Sequence, residues 1–167
     1  MQQTARISNL VSRLRPGRRA PLKIVVVYDG FGDLIRAHET WTEVAAQLKH
    51  KVQVVSSVWN FALLRDPRQR QRAARKTADA DMLVLSTGGR SELPAHVRHW
   101  FSSWAPWKQG RRDALVAVLD KQTPPSTNAS RLRDFLRQVA EQTGMDFFCN
   151  TDGGRTRPEA PDGVCLN

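Results

Sequence analysis

Residues 22–30 read LKIVVVYDG, a β-branched, apolar stretch that closes on an acid and a glycine. Such a run marks a strand buried on both faces, as inside a parallel sheet. The signal recurs at 51–59 (KVQVVSSVW), 81–89 (DMLVLSTGG), 113–120 (DALVAVLD) and 145–150 (MDFFCN). Helical spacing fills the intervals. Leu34, Ala37, Trp41, Val44, Ala45 and Leu48 share one face of a helix over about 34–50, with Asp33 as its N-cap. Asp66 and Pro67 open a second helix, acid as cap and proline at the first position. It runs to about residue 80 with only alanines for a buried stripe. A third, over 92–107, turns Leu93, Val97, Trp100, Phe101 and Trp104 inward and stops at Pro106. A fourth, over 130–143, does the same with Leu132, Phe135, Leu136, Val139 and Ala140, and Gly144 suits its C-cap.

Five strands alternating with four helices predict a three-layer α/β sandwich around a five-stranded parallel sheet. Right-handed crossovers leave few topologies, and the order 2-1-3-4-5 fits best. Ligands of such sheets sit outside the carboxyl ends of the strands, at the switch between strands one and three. The loops there are 29–33, 86–94 and 120–128. The 167 residues suit one domain. They divide into a leader (1–21), the α/β domain (22–150) and a Gly/Pro-rich tail (151–167). No apolar run reaches the ~20 residues of a membrane-spanning helix. Two cysteines exclude a disulfide scaffold and a Cys-based zinc finger. A cytoplasmic location is expected.

Charge is uneven. The net charge is +10, yet the first 23 residues hold six basic side chains and no acid. In that leader Ile7, Leu10, Val11 and Leu14 fall on one helical face before Pro16 and Gly17 end it. It could dock on its own domain, bind a partner or second subunit, touch an anionic surface, or act as an organelle transit peptide. A second cluster comprises Arg65, Arg68, Arg70, Arg72, Arg75 and Lys76. A third joins Trp107 to Lys108, Arg111 and Arg112 as a contact patch. Basic clusters draw polyanions by field and counterion release, and also serve as solvated helix faces.

The segment VLSTGGRSELPAHVRHWF (84–101) resembles the third-strand loop of flavodoxins and flavodoxin-like reductases, where a Ser/Thr-Gly turn, a proline and an aromatic-bearing helix edge the flavin ring. The resemblance implies a flavodoxin-like fold and an FMN site. That family holds the cofactor phosphate in a Ser/Thr- and Gly-rich loop after the first strand; here the loop is DGFGD. Asp29 and Asp33 would meet a phosphate dianion with like charge, so no cofactor is expected in the usual pose. The first strand and DMLVLS also resemble response-regulator receiver domains. Ser86 stands at their phosphoacceptor position, Tyr28 at one of the metal-binding acids, Asp120 at the usual Ser/Thr and Asn150 at the usual Lys. Only Asp29 matches, so an aspartyl-phosphate lacks its nucleophile, half of its acidic pair and its cation.

Candidate ligand residues are therefore Asp29, Asp33 and Asp120 at strand ends, with Ser86, Thr87, Gly88, Gly89 and Arg90 as a turn whose N–H groups could form an anion nest. The three acids could hold Mg²⁺ or move protons; a helix cap at Asp33 and turn hydrogen bonds at Asp29 and Asp120 are the stronger explanation, and no metal is assigned. His96 and His99 are expected on a solvated helix face, His38 without a paired ligand. Cys149 is expected to be a buried, inert thiol. Trp41, Trp100 and Trp104 are expected in the core, Trp59 and Trp107 exposed. The leading expectation is a non-catalytic regulatory or protein-binding module, joined by a protein partner or its own copy. The alternatives are a flavin-dependent NAD(P)H oxidoreductase, and nucleic-acid or ribosome binding through the basic patches.

Overall fold

The computed structural model describes residues 21–48, 53–88, 92–108, 113–119 and 127–151. Its strands are β1 (Leu22–Tyr28), β2 (Val54–Asn60), β3 (Met82–Thr87), β4 (Ala114–Leu119) and β5 (Asp146–Thr151). Its helices are α1 (Phe31–Leu48), α2 (Pro67–Asp79), α3 (Ala95–Trp104) and α4 (Thr127–Thr143). Every strand pair is parallel and the order is β2-β1-β3-β4-β5. This is the flavodoxin-like arrangement expected from the alternation. The register sets Tyr28 beside both Asn60 and Ser86, which brings three strand ends together.

The two faces of the sheet are buried under different helices. Val25, Val27, Leu83, Leu85, Leu115 and Ala117 pack beneath α2, α3 and α4. Ile24, Val26, Met82, Val84 and Val116 face the other way, toward Ala37 and Trp41 of α1. All six residues of β3 and of β4 are buried, which is why these strands read as unbroken apolar runs. Trp100, Phe101 and Trp104 form an aromatic cluster with centroid separations of 4.9–5.6 Å. The buried stripe of α2 is Ala73, Ala74 and Thr77, and the Thr77 hydroxyl donates to the Ala73 carbonyl at 2.9 Å. With no bulk to bury, this helix carries its arginines outward.

Several boundaries differ from expectation. α1 begins three residues earlier, at Phe31, so Asp33 lies in its first turn and is not the N-cap. α3 is shorter, and Ala105–Lys108 continues as a 3₁₀ turn through Pro106. α4 starts at Thr127. A 3₁₀ turn over Phe61–Arg65, capped by the Asn60 side chain, precedes α2; no helical period is visible in so short a piece. Asp66 caps α2 by accepting from the Arg68 N–H at 2.8 Å, with Pro67 next, as the sequence implies. Trp41 is half-buried, and Trp59 is half-buried with its ring against the core instead of exposed.

The larger correction concerns Lys108. The sequence places it in a surface patch with Trp107, but it is fully buried. Its ammonium donates to Asp113 Oδ2 at 2.9 Å and to the Ala80 carbonyl. Reversal of the chain at the 3₁₀ turn points Trp107 outward, at 76% exposure, and its neighbour inward. The leader, Gly89, Arg90, Arg111, Arg112, Asp120 and the tail after residue 151 lie outside the described residues.

Candidate functional site

The carboxyl ends of β1 and β3 form the switch point, and only Asp29 and Gly30 connect β1 to α1. Asp29 is held from several sides. Its N–H donates to the Ser86 carbonyl at 3.2 Å, its carbonyl accepts from Asn60 Nδ2 at 3.1 Å, and its carboxylate accepts from the Thr87 hydroxyl at 3.3 Å. The structure thus brings Asp29, Ser86 and Thr87 together, as the strand order requires. Asn60 joins them unannounced. The signal was available: asparagine is a preferred helix cap, and Asn60 Oδ1 accepts the Ala62 N–H at 2.7 Å.

Asp33 does something different. Its Oδ2 accepts from the N–H of Gly30 at 2.8 Å, the reciprocal half of a capping box. Its Oδ1 pairs with the Arg36 guanidinium one turn on. The residue is only 8% exposed, so this carboxylate is nearly withdrawn from water. The main-chain donors at a helix start are the groups that elsewhere receive a phosphate. Here a carboxylate of the same chain engages the first of them. A phosphate set against this turn would have to displace the Asp33 carboxylate from the Gly30 N–H and would meet its like charge.

Ser86 is fully buried and its Oγ finds no hydrogen-bond partner among the described residues. On the α2 side, His96 is half-buried rather than solvated. Its Nε2 lies 2.8 Å from the Phe61 carbonyl, which ties the start of α3 to the 3₁₀ turn. His99 and His38 are exposed. Among the described residues, no three His, Cys, Asp or Glu side chains gather closely enough to hold a metal ion. Cys149 is half-buried; burial pushes its thiol up, while Arg133 and Arg137 pull it back. The chain therefore has no activated nucleophile there.

The basic cluster is real as a surface feature. Arg65, Arg68, Arg72, Arg75 and Lys76 are exposed along the outer side of α2 and the turn before it. Arg70 differs, since it folds back to donate to the Leu64 carbonyl at 3.1 Å. Trp107 belongs to another region. Its neighbour Lys108 binds residues just ahead of β3 and β4, which puts that turn at the amino end of the sheet, opposite the switch point.

No protein-family model matches this chain, and no curated protein matches it. The solved structures it is similar to are distant. It is similar to the two-electron reduced flavodoxin of Megasphaera elsdenii, at 19% identity and a TM-score of 0.49, over 78% of this chain and 84% of that one. It is similar to the Trp repressor binding protein of Bacillus subtilis, at 12% identity and 0.46, over 81% and 86%. It is also similar to the general stress protein 14 of Treponema denticola, solved in complex with FMN, at 17% identity and 0.45, over 78% and 84%.

Proposed function

We propose that this domain is a non-catalytic binding module that uses the flavodoxin-like frame as a scaffold and acts through protein contact. The observation that carries the reading is Asp33. A carboxylate engaged by the Gly30 N–H and the Arg36 guanidinium sits where an incoming anion would need free donors. The two-residue connection after β1 leaves no room for a hydroxyl-rich phosphate loop. The exposed arginines of α2 supply a contact surface instead.

A visible absorption scan tests this directly. Purified protein is expected to be colourless, and to remain so after incubation with FMN and removal of the excess. Retained absorbance near the flavin bands would overturn the reading.

One observation favours a second reading, a flavin-dependent NAD(P)H oxidoreductase. Ser86 Oγ, at the carboxyl end of β3 beside the crevice where ligands of this fold bind, is a buried hydroxyl with no hydrogen-bond partner among the described residues. A flavin ring held by the loop after β3, with its phosphate placed away from Asp33, would use it. The same scan decides between the two.

A further inference from the structure

β2 ends the sheet on one side and, among the described residues, pairs only with β1. Its seven residues, VVSSVWN, hold no charge, no proline and no glycine. Sheet edges are normally blunted by lysine, proline or a bulge, because a bare edge invites another strand. Val55 and Val58 are 49% and 48% exposed.

The ladder shows which groups point outward. The Leu22 N–H donates to the Gln53 carbonyl at 2.7 Å, so odd-numbered residues of this segment turn their main-chain groups toward β1. Alternation then leaves the N–H and C=O of Val54, Ser56 and Val58 facing away from the sheet. The side chains divide by face. Val54 packs into the cluster beneath α1, and Trp59 into the cluster beneath α2. On the Trp59 face, α2 lies against β1 and α3, and α2 with the turn before it presents Arg65, Arg68, Arg72, Arg75 and Lys76 to solvent.

We propose that β2 takes up an extended segment of an acidic protein partner as a sixth strand. This rests on the binding-module reading and names its surface. The partner's main chain pairs with Val54, Ser56 and Val58, while alternate carboxylates lie on the α2 face and apolar side chains lie beside Val58. Charge selects this occupant. A second copy pairing antiparallel across a two-fold axis normal to the sheet would set one basic α2 beside the other. A nucleic acid would satisfy the arginines but leave the outward carbonyls facing an anion.

The test uses the full chain and a fluorescein-labelled, end-blocked peptide of alternating Glu and Val, seven residues long, read by anisotropy at low salt. Saturable binding is expected, at least tenfold tighter than for the matching Lys-Val peptide, with slowed amide exchange at Ser56 and Val58. Val58→Pro and, separately, Ser56→Pro remove an outward N–H and leave the bonds to β1 intact. Each is expected to weaken binding at least tenfold with an unchanged far-UV spectrum. Arg72→Glu with Lys76→Glu should weaken it at least fivefold. Absent binding, binding that ignores both prolines, tighter binding of a single-stranded oligonucleotide, or self-association lost in Val58→Pro would each overturn the proposal. Those results leave the binding-module reading standing; only a retained flavin removes that.

Discussion

Lys108 Nζ and Asp113 Oδ2 lie 2.9 Å apart with both side chains almost wholly buried, at 0% and 4% exposure. They staple the 3₁₀ turn after α3 to the start of β4, and the same ammonium reaches the Ala80 carbonyl ahead of β3. A buried pair of this kind adds little over an apolar pair, but breaking it strands a charge. Lys108→Met is therefore expected to cost ~3–5 kcal/mol, and Lys108→Met with Asp113→Leu much less. Urea denaturation of the single and double variants measures both. A single variant within 1 kcal/mol of the parent would contradict the assignment.

Trp107 and Trp104, three residues apart, have opposite environments, at 76% and 0% exposure. Trp107→Phe is expected to change stability by less than ~0.5 kcal/mol, as surface substitutions do. It should also remove much of the fluorescence that acrylamide quenches. Trp104→Ala empties a full aromatic site and should cost ~3–5 kcal/mol. Quenching and thermal unfolding, measured on the same samples, check the pair.

The fold was legible because its signals are long. Runs such as IVVV and LVAVL, short, β-branched and bounded by turn residues, read as strands covered on both sides, and Leu132, Leu136, Val139 and Ala140 repeat often enough to define a helix face. The candidate site was legible only in part. Strand order brings Asp29, Ser86 and Thr87 together whatever their contacts, so their proximity followed from topology. The roles of Asp33 and Lys108 did not. Whether Asp33 is an N-cap or a first-turn residue depends on a boundary, and local pattern fixes boundaries poorly. Lys108 turns inward because Asp113 and the Ala80 carbonyl wait there, a tertiary fact that a basic run in sequence conceals.

Cys149 should react slowly. Burial holds its thiol above the ordinary range, so little thiolate exists at neutral pH; Arg133 opposes this through charge and a hydrogen bond. In a Cys165→Ser background, iodoacetamide labelling at pH 7.5 is expected to be at least tenfold slower for folded than for urea-unfolded protein. Arg133→Ala removes the opposing cation and should slow it further. The sign for stability follows. The folded state keeps its proton longer than the unfolded state, so this contribution is full below about pH 8.5 and is lost as pH rises through the folded value. Labelling as fast as the free amino acid would refute the burial.

Asp33 gives the sharpest test of the first crossover. Asp33→Asn keeps the size and an acceptor for the Gly30 N–H but loses the ion pair with Arg36. Asp33→Ala loses both. The alanine variant is expected to cost ~0.5–2 kcal/mol, the range for a lost helix cap, and the asparagine variant a smaller part of that. At this chain length each kcal/mol lowers Tm by about 2–4 °C. Sulfate provides the second readout. If the Asp33 carboxylate blocks anions at the start of α1, sulfate should raise the Tm of Asp33→Ala more than that of the parent, at matched ionic strength. Equal shifts would show that the carboxylate is a cap and nothing more.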